Sequence, residues 1–361
     1  MHDAPYSSAR NSFHLVRFLL ALLVILCHCY TLRNLATPLN RLTGGQMNEG
    51  TLAVDGFLVV SGFLICQSGV RTRNALTFLR NRALRILPGF VCALLFTAFI
   101  AGGLAYRGTF AQYLNEPVNG PFAYVWNWLT LNVQGDQWNI AGVFTDSVKQ
   151  GVNVSLWTIK HEVSLYLLMA VLILTTLNRR RPTYIVLYAL FLVMYVLLTG
   201  FNMRLWDAAD TRWWVLSHWN YPRFVQTGMF FFAGTLLYAY RDRVPRRWYL
   251  AIIAVMALVL GGCFGFLRWV HILATPYLIT YLAGSPMGNG FERVGDLSLG
   301  MYVYSYPLQQ LLYHIEPGLH PLANFALTLA LVLPLAALSW RWIEQPCLRL
   351  KHAMHRKKAA A

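Results

Sequence analysis

Long apolar segments separated by short polar ones make up most of this chain. Ten of the segments have the length and the apolar character needed to cross a hydrocarbon core about 30 Å thick. In chain order they are residues 13–32, 51–69, 88–106, 153–177, 183–200, 222–240, 248–265, 267–284, 294–313 and 321–343. The pattern therefore predicts an all-α membrane protein, a polytopic bundle of about ten transmembrane helices.

The distribution of arginines among the loops predicts how this bundle is oriented. Cytoplasmic loops of membrane proteins carry an excess of Lys and Arg. If the N-terminus lies in the cytoplasm, the loops on that side hold the dense basic clusters, and the outer loops hold fewer basic residues. The clusters lie within residues 71–85, 179–181, 241–247 and 349–358. We therefore expect both termini to be cytoplasmic, as an even number of spans requires.

Composition excludes a soluble domain and gives no support to a nucleic-acid-binding protein. The chain is 57 % hydrophobic and 12 % charged, whereas soluble domains are about 25 % charged. The net charge of +16 fits the basic loops and contact with anionic membrane lipid, so we expect no nucleic-acid partner. We also expect no metal site, because Cys27 and Cys29 flank His28 on different faces of a helix.

The first apolar segment carries two polar residues, Arg17 and His28, which are costly in lipid. His28 is eleven positions after Arg17, so on a helix both side chains lie within about 20° of one face and about 16 Å apart along the axis. One interpretation is a polar track that faces a cavity inside the bundle. The other is that Arg17 reaches the headgroups and His28 is a packed, hydrogen-bonded histidine.

Asp55 is an unusual residue near the outer end of the second predicted span. His28 lies near the outer end of the first span, so two antiparallel neighbours would bring the two side chains to a similar depth. A carboxylate beside an imidazole fixes its tautomer and raises the basicity of the other nitrogen, as a general base requires. The alternative is that Asp55 lies at the interface and caps its helix.

The fourth predicted span contains three consecutive ionisable residues, Lys160, His161 and Glu162. Each costs several kcal/mol in lipid unless it is paired or faces water, so together they indicate a functional cavity, and Glu162 is the favoured candidate among them. Spans five to eight carry fewer charges and resemble scaffold. The outer loop 204–223 between two of them is rich in tryptophan and is a candidate substrate-facing segment.

A cytoplasmic arginine cluster precedes the third predicted span. Two of its members, Arg82 and Arg85, lie on one side of a helical turn. Guanidinium groups bind phosphate bidentately, and the phosphate could belong to a donor molecule or to a lipid. Pro88 is expected in the first turn of the span, a position that proline favours. At the other end of the chain we expect Pro346 to end the last helix, with Arg341 and Glu344 as a cytoplasmic anchor.

Taken together, these segments resemble a known family, the integral-membrane acyltransferase family 3, whose members O-acylate cell-surface glycans in bacteria. The resemblance covers almost the whole chain and rests on six motifs in the same order. They are Arg17 with ten residues before His28, VDGFLVVSGFLI (Val54–Ile65), FLRNRALRILP (Phe78–Pro88), SLWTIKHEVSLY (Ser155–Tyr166), DLSLGMYVYSYP (Asp296–Pro307) and WRWIEQPCLRL (Trp340–Leu350).

The resemblance implies roles for five residues. It implies that His28 is the essential histidine with Arg17 as its paired arginine, and that Glu162 is the acid of the fourth-span motif. It also implies that Arg82 and Arg85 form the cytoplasmic pair that meets the donor. One departure is that Ser305 stands where many members carry a histidine before an aromatic residue and proline.

The activity implied by the resemblance is transfer of an acyl group, acetyl above all, from acyl-CoA to a hydroxyl of a cell-surface or lipid-linked saccharide. We expect His28 as general base with Asp55 or Glu162 orienting it, Arg17, Arg82 and Arg85 contacting the donor, and no tightly bound cofactor. The expected arrangement is one membrane domain over residues 1–350 and a basic cytoplasmic tail over 351–361, in the bacterial cytoplasmic (inner) membrane. The alternative is a proton-coupled transporter or flippase that uses the same buried polar residues.

Overall fold

The structure is a computed structural model that describes residues 11–72, 74–132, 137–201, 220–288, 290–291 and 295–350. All regular secondary structure in these ranges is helical, which confirms the predicted all-α class. The first seven α-helices are α1 (Phe13–Thr31), α2 (Pro38–Leu42), α3 (Glu49–Arg71), α4 (Ala75–Leu95), α5 (Gly102–Ala105), α6 (Phe110–Leu114) and α7 (Pro121–Leu129). The next seven are α8 (Trp157–Leu174), α9 (Arg181–Gly200), α10 (Tyr221–Ala239), α11 (Trp248–Phe264), α12 (Leu267–Ala283), α13 (Ser298–Ile315) and α14 (Pro321–Ser339).

Each of the ten predicted spans overlaps one of these helices. Six helical stretches within the described ranges are long and apolar enough to cross a membrane. They are Phe13–Thr31, Glu49–Arg71, Ala75–Ala105, Val154–Leu174, Arg181–Gly200 and Pro321–Leu350. The membrane character of the protein is therefore confirmed, while crossing of the membrane by α10, α11, α12 and α13 stays a prediction.

Pro88 and Pro346 both lie inside helical segments. The predictions that Pro88 lies in the first turn of a helix and that Pro346 ends one are therefore wrong. α4 begins at Ala75, because the Asn74 side chain accepts a hydrogen bond from the Thr77 N–H at 2.9 Å and so caps the helix start. Pro88 then lies inside α4. At the other end of the chain, a π-helical turn over Trp340–Glu344 follows α14, and helical backbone continues past Pro346 to Leu350, since a proline can kink a helix without ending it.

The chain forms two compact units. The first unit comprises Met1–Leu23, Ala36–Leu79 and His161–Val294, and the second comprises Val24–Leu35, Arg80–Lys160 and Gly295–Ala361. The helices α1, α4 and α8 each contribute one part to each unit. The tail 351–361 lies outside the described residues.

Close contact between α3 and α10 organises the first unit. A Cβ atom added at Gly62 would overlap the backbone carbonyl of Phe231, and one added at Gly234 would overlap the carbonyl of Val59. Only glycine allows the two backbones to approach this closely, as small residues do in membrane helices. α10 also packs against α9, and α12 packs against α11 and α3.

Packing of α13 against α14 organises the second unit. Gly300 on α13 lies against Ala336 on α14, where an added Cβ atom would come within 2.8 Å of the alanine methyl group. Asn153 ties the loop before α8 to this pair, because its Nδ2 atom donates to the Val303 carbonyl at 2.8 Å. The unit also contains the C-terminal part of α1, which carries His28.

Candidate active site

His28 lies in the second unit, on the last turns of α1. Its side chain is half-buried, and its Nδ1 atom is buried without a hydrogen-bond partner among the residues that the structure describes. The imidazole meets the Tyr306 ring edge to face, with the ring centroids 5.0 Å apart. The hydrogen bonding that a packed histidine normally has at both ring nitrogens is therefore missing at Nδ1.

A buried polar network holds the helix segment that carries His28. The Gln309 amide donates to the Ile25 carbonyl and to the Cys29 sulfur, both at 2.8 Å. The Tyr313 hydroxyl donates to the Cys29 carbonyl at 2.5 Å, and the Asn324 amide donates to the Gln309 carbonyl at 3.2 Å. These bonds fix the backbone on both sides of His28 to α13, and α14 is bonded to α13 in turn.

Ser305 occupies the position where many members of the family carry a histidine. It is fully buried on α13 beside Tyr306. Its Oγ atom makes no hydrogen bond within the described ranges. The sequence identified the departure, and the structure adds that the smaller hydroxyl side chain is enclosed by its neighbours.

Glu162 lies in the first unit and is held by two hydroxyl groups. Ser61 Oγ donates to Glu162 Oε1 at 2.9 Å, and the Tyr166 hydroxyl donates to the same oxygen. Tyr166 is four residues after Glu162 and so shares its helix face. Ser61 comes from α3, and no pattern in the sequence links it to Glu162.

Asp55 is buried in the first unit, and the imidazole beside it belongs to His271 and not to His28, which was its predicted partner. Its Oδ2 atom lies 2.8 Å from Nε2 of His271, and the Gln226 amide donates to both carboxylate oxygens at 3.1 and 3.2 Å. Nδ1 of His271 is in turn 2.6 Å from Thr275 Oγ1. α10 and α12, which the sequence presented as scaffold, thus supply the partners of a buried carboxylate.

The alternative role for Asp55 as a helix cap is wrong. α3 begins six residues earlier than Asp55, and its N-cap residue is Asn48, whose side chain accepts from the Thr51 N–H at 2.8 Å. Asp55 therefore lies within the helix, where its charge needs partners of its own. Asp55, Gln226 and His271 line a cavity of about 320 Å³ in this unit.

Arg85 lies in the second unit and contacts two buried carboxylates. It forms an ion pair with Asp296, and its Nη1 atom is 3.6 Å from Oε2 of Glu344. The two carboxylate side chains are 2 % and 1 % exposed, and Arg85 is 20 % exposed. The predicted anchor role of Glu344 is therefore wrong, because Glu344 is buried beside Arg85 while Arg341 is exposed.

The other predicted donor contacts are half-buried. Arg82 lies on α4 in the second unit, and Arg17 lies on α1 in the first unit. Lys160 and His161 are fully buried near the start of α8. Most of the tryptophan-rich loop 204–223 lies outside the described residues, which resume at Asn220.

Comparison with known proteins identifies the family of the chain. Residues 10–341 match the family model described as an acyltransferase domain. The chain belongs to this acyltransferase family. It is 23 % identical over 344 residues to a protein named O-acetyl transferase from Shigella phage Sf6, an alignment that covers 93 % of this chain and 95 % of the relative.

A second relative is similar over the same extent. Nodulation protein 10 of Rhizobium leguminosarum bv. viciae is 24 % identical over 377 residues, covering 96 % of each chain. No solved structure matches this acyltransferase. The family resemblance inferred from the six motifs is therefore confirmed, and the chain is a membrane acyltransferase.

Sequence reasoning about this acyltransferase identified individual polar residues in apolar segments but missed most of their partners. His271 is also a polar residue in an apolar segment, LRWVHILATP, and the same criterion applied to the eighth span would have selected it. Nothing in the sequence marked Gln226 as a partner of a buried carboxylate, since a glutamine near a helix start is common. The roles of His28, Glu162, Asp55, Arg17, Arg82 and Arg85 stay predictions.

Proposed function

We propose that this acyltransferase moves an acyl group, most simply acetyl, from cytoplasmic acyl-CoA to a hydroxyl of a cell-surface or lipid-linked saccharide. The family match supports acyl transfer, and the name of the phage relative supports an O-acetyl product. The proposed setting is the bacterial cytoplasmic (inner) membrane, with ten spans and both termini in the cytoplasm. The placement of arginines in the loops supports this orientation.

The observation that carries the mechanism is the state of His28. Its Nδ1 atom is buried and has no hydrogen-bond partner in the described part of the chain, while Tyr306 and the Gln309 network fix its position. An imidazole held in place with an unbonded nitrogen is suited to accept and return a proton. This geometry favours the catalytic interpretation of His28 over that of a hydrogen-bonded packing residue.

In the proposed reaction His28 takes the proton from the acceptor hydroxyl while the hydroxyl oxygen attacks the thioester carbonyl carbon. The carbon–sulfur bond then breaks, and the CoA thiolate takes the proton from the imidazolium. The products are a saccharide ester and free CoA. Glu162 and Asp55 are proposed as further catalytic residues, and hydrogen-bond donors within the first unit orient each carboxylate.

Arg17, Arg82 and Arg85 are proposed to contact the phosphate groups of the donor. Arg85 retains capacity for this role, because a guanidinium carries five N–H donors and its two carboxylate neighbours do not use all of them. CoA acts as a substrate in this scheme, and the protein needs no tightly bound cofactor.

The test uses membranes that contain the protein, acetyl-CoA and a purified surface polysaccharide. Wild type should release free CoA and increase the mass of the saccharide by one acetyl group. His28→Ala and His28→Gln should be inactive at equal protein levels, since glutamine preserves size but accepts no proton near pH 7. His320→Gln, at the exposed start of α14, is the matched control and should retain activity.

Two results would contradict the proposal. Turnover near the wild-type level in His28→Gln would exclude proton transfer through this residue. Failure of wild type to release CoA with any saccharide acceptor would contradict acyl-CoA as the donor or a saccharide as the acceptor.

A further inference from the structure

The cavity beside Asp55 lies at one end of the first unit. The start of α3, the end of α9, and the starts of α10 and α12 surround it. Its volume of about 320 Å³ is at the lower end of the range of about 300–1,000 Å³ for small-molecule sites. A ligand about the size of one sugar ring therefore suits it better than a molecule as long as acyl-CoA.

The base of the cavity is built to bind hydroxyl groups. Asp55 and His271 are 1 % and 4 % exposed, yet both line the cavity. A carboxylate has about four acceptor sites, and the hydrogen bonds to Asp55 involve His271 and one Gln226 nitrogen. Asp55 therefore keeps capacity to accept a hydrogen bond from a ligand hydroxyl, and Thr51 and Thr199 add hydroxyl groups to the wall.

The rim of the cavity carries two exposed arginines, Arg223 and Arg268. The proposed orientation places these two arginines outside the cytoplasm. The excess of Lys and Arg that sets membrane orientation lies on the cytoplasmic side, so it does not account for them. A guanidinium group binds a carboxylate or a phosphate through paired hydrogen bonds. The rim is therefore suited to an anionic group, while the base is suited to hydroxyl groups.

We propose that this cavity binds the acceptor, and that the acceptor is a saccharide that carries a carboxylate or phosphate group. The proposal rests on the proposed function, since it names the class of hydroxyl compound that receives the acyl group. The buried Asp55 and the half-buried Gln226 bind the hydroxyl groups of one sugar ring, and Arg223 and Arg268 bind its anionic substituent.

The binding test uses the full-length protein in phosphatidylcholine nanodiscs, which carry no net lipid charge. Calorimetry measures the affinity for methyl β-glucuronide, glucose 1-phosphate and methyl β-glucoside. The two charged sugars should bind at least about 10-fold more tightly than the neutral one, because a charge-assisted hydrogen bond contributes about 1.5–3 kcal/mol. The tighter of the two charged sugars identifies carboxylate or phosphate as the natural group.

The variant test separates a specific contact from overall charge. Arg268→Gln should weaken binding of the charged sugars about 10-fold and leave the neutral sugar unaffected, and Arg268→Lys should have a smaller effect. Arg41→Gln, which removes the same charge from an exposed residue of α2 that does not line the cavity, is the matched control and should change neither affinity.

Several results would overturn the assignment. They are equal affinity for the charged and neutral sugars, no binding of any of them, or equal effects of Arg268→Gln and Arg41→Gln. Binding of glycerol 1-phosphate as tight as that of the charged sugars would identify a lipid-headgroup site instead. Because binding is measured without acyl-CoA, failure is distinguishable from failure of the proposed function. Acyl transfer that is as fast to neutral as to anionic saccharides would refute only this inference.

Discussion

Arg85→Ala tests whether the arginine predicted to bind the donor also holds the second unit together. In the structure Arg85 is the cation beside Asp296 and Glu344, two carboxylates that are 2 % and 1 % exposed. Removing one partner of a buried ion pair costs about 3–5 kcal/mol, because a buried charge is left uncompensated. Arg85 itself is 20 % exposed, so we expect the lower end, about 3 kcal/mol.

The measurement is thermal unfolding of the detergent-solubilised protein alongside the KM for acyl-CoA. At about 2 °C per kcal/mol, Arg85→Ala should lower Tm by about 6 °C. Arg82→Ala, on the same helix, is the comparison and should mainly raise the KM, by about 10-fold or more if a charge-assisted phosphate contact is lost.

A further substitution separates stability from donor binding. Adding Asp296→Asn and Glu344→Gln to Arg85→Ala removes both carboxylate charges, so Tm should recover in part while the KM stays high. If Arg85→Ala unfolds within about 1 °C of wild type, the buried carboxylates do not depend on Arg85 and the reasoning is refuted.

Three further changes test the packing and the contacts around the site. Gly62→Ala should lower Tm by several degrees, because the new Cβ atom overlaps the Phe231 backbone. Gly69→Ala is the control and should be tolerated, since the nearest neighbours of its new Cβ atom are side-chain atoms 3.3 Å away or more. Ser61→Ala should lower kcat/KM about 10-fold by removing a donor to Glu162, and Ser68→Ala on the same helix should not. Gln309→Leu should lower kcat with little change in the KM for acyl-CoA, because it removes a hydrogen bond that holds the α1 backbone beside His28. An equal change in kcat and in KM would contradict a positioning role for Gln309.

The helices could be predicted from sequence because a membrane requires long apolar stretches, but one helix start could not. Arg80, Arg82 and Arg85 interrupt the apolar pattern before Pro88, so a hydropathy criterion begins the third span at the proline. The helix in fact begins at Ala75, because the Asn74 side chain caps the helix there. Hydropathy reports which residues can lie in lipid, whereas a helix start depends on hydrogen bonding of the backbone.

The candidate polar residues could be found from sequence because charges are rare in membrane helices, but their partners could not. Asp55 and His271 lie 216 residues apart in the chain, and nothing in either segment names the other. The three-residue spacing of Arg341 and Glu344 predicts a cytoplasmic anchor, yet Glu344 is buried beside Arg85. Packing between distant helices decides such pairs, and a single sequence does not encode it in any local pattern.

The contrast between His28 and the buried carboxylates bears on which group moves a proton. Asp55 has His271 and Gln226 as partners, Glu162 has Ser61 and Tyr166, and Asp296 has Arg85. Each of these carboxylates accepts hydrogen bonds from donors within its own unit. Deprotonation of a donor, or protonation of the carboxylate, would break these hydrogen bonds. His28 is fixed through its backbone and an aromatic contact, so a change of protonation at Nδ1 breaks no bond among the described residues. This difference supports the proposal that His28 is the group that exchanges a proton.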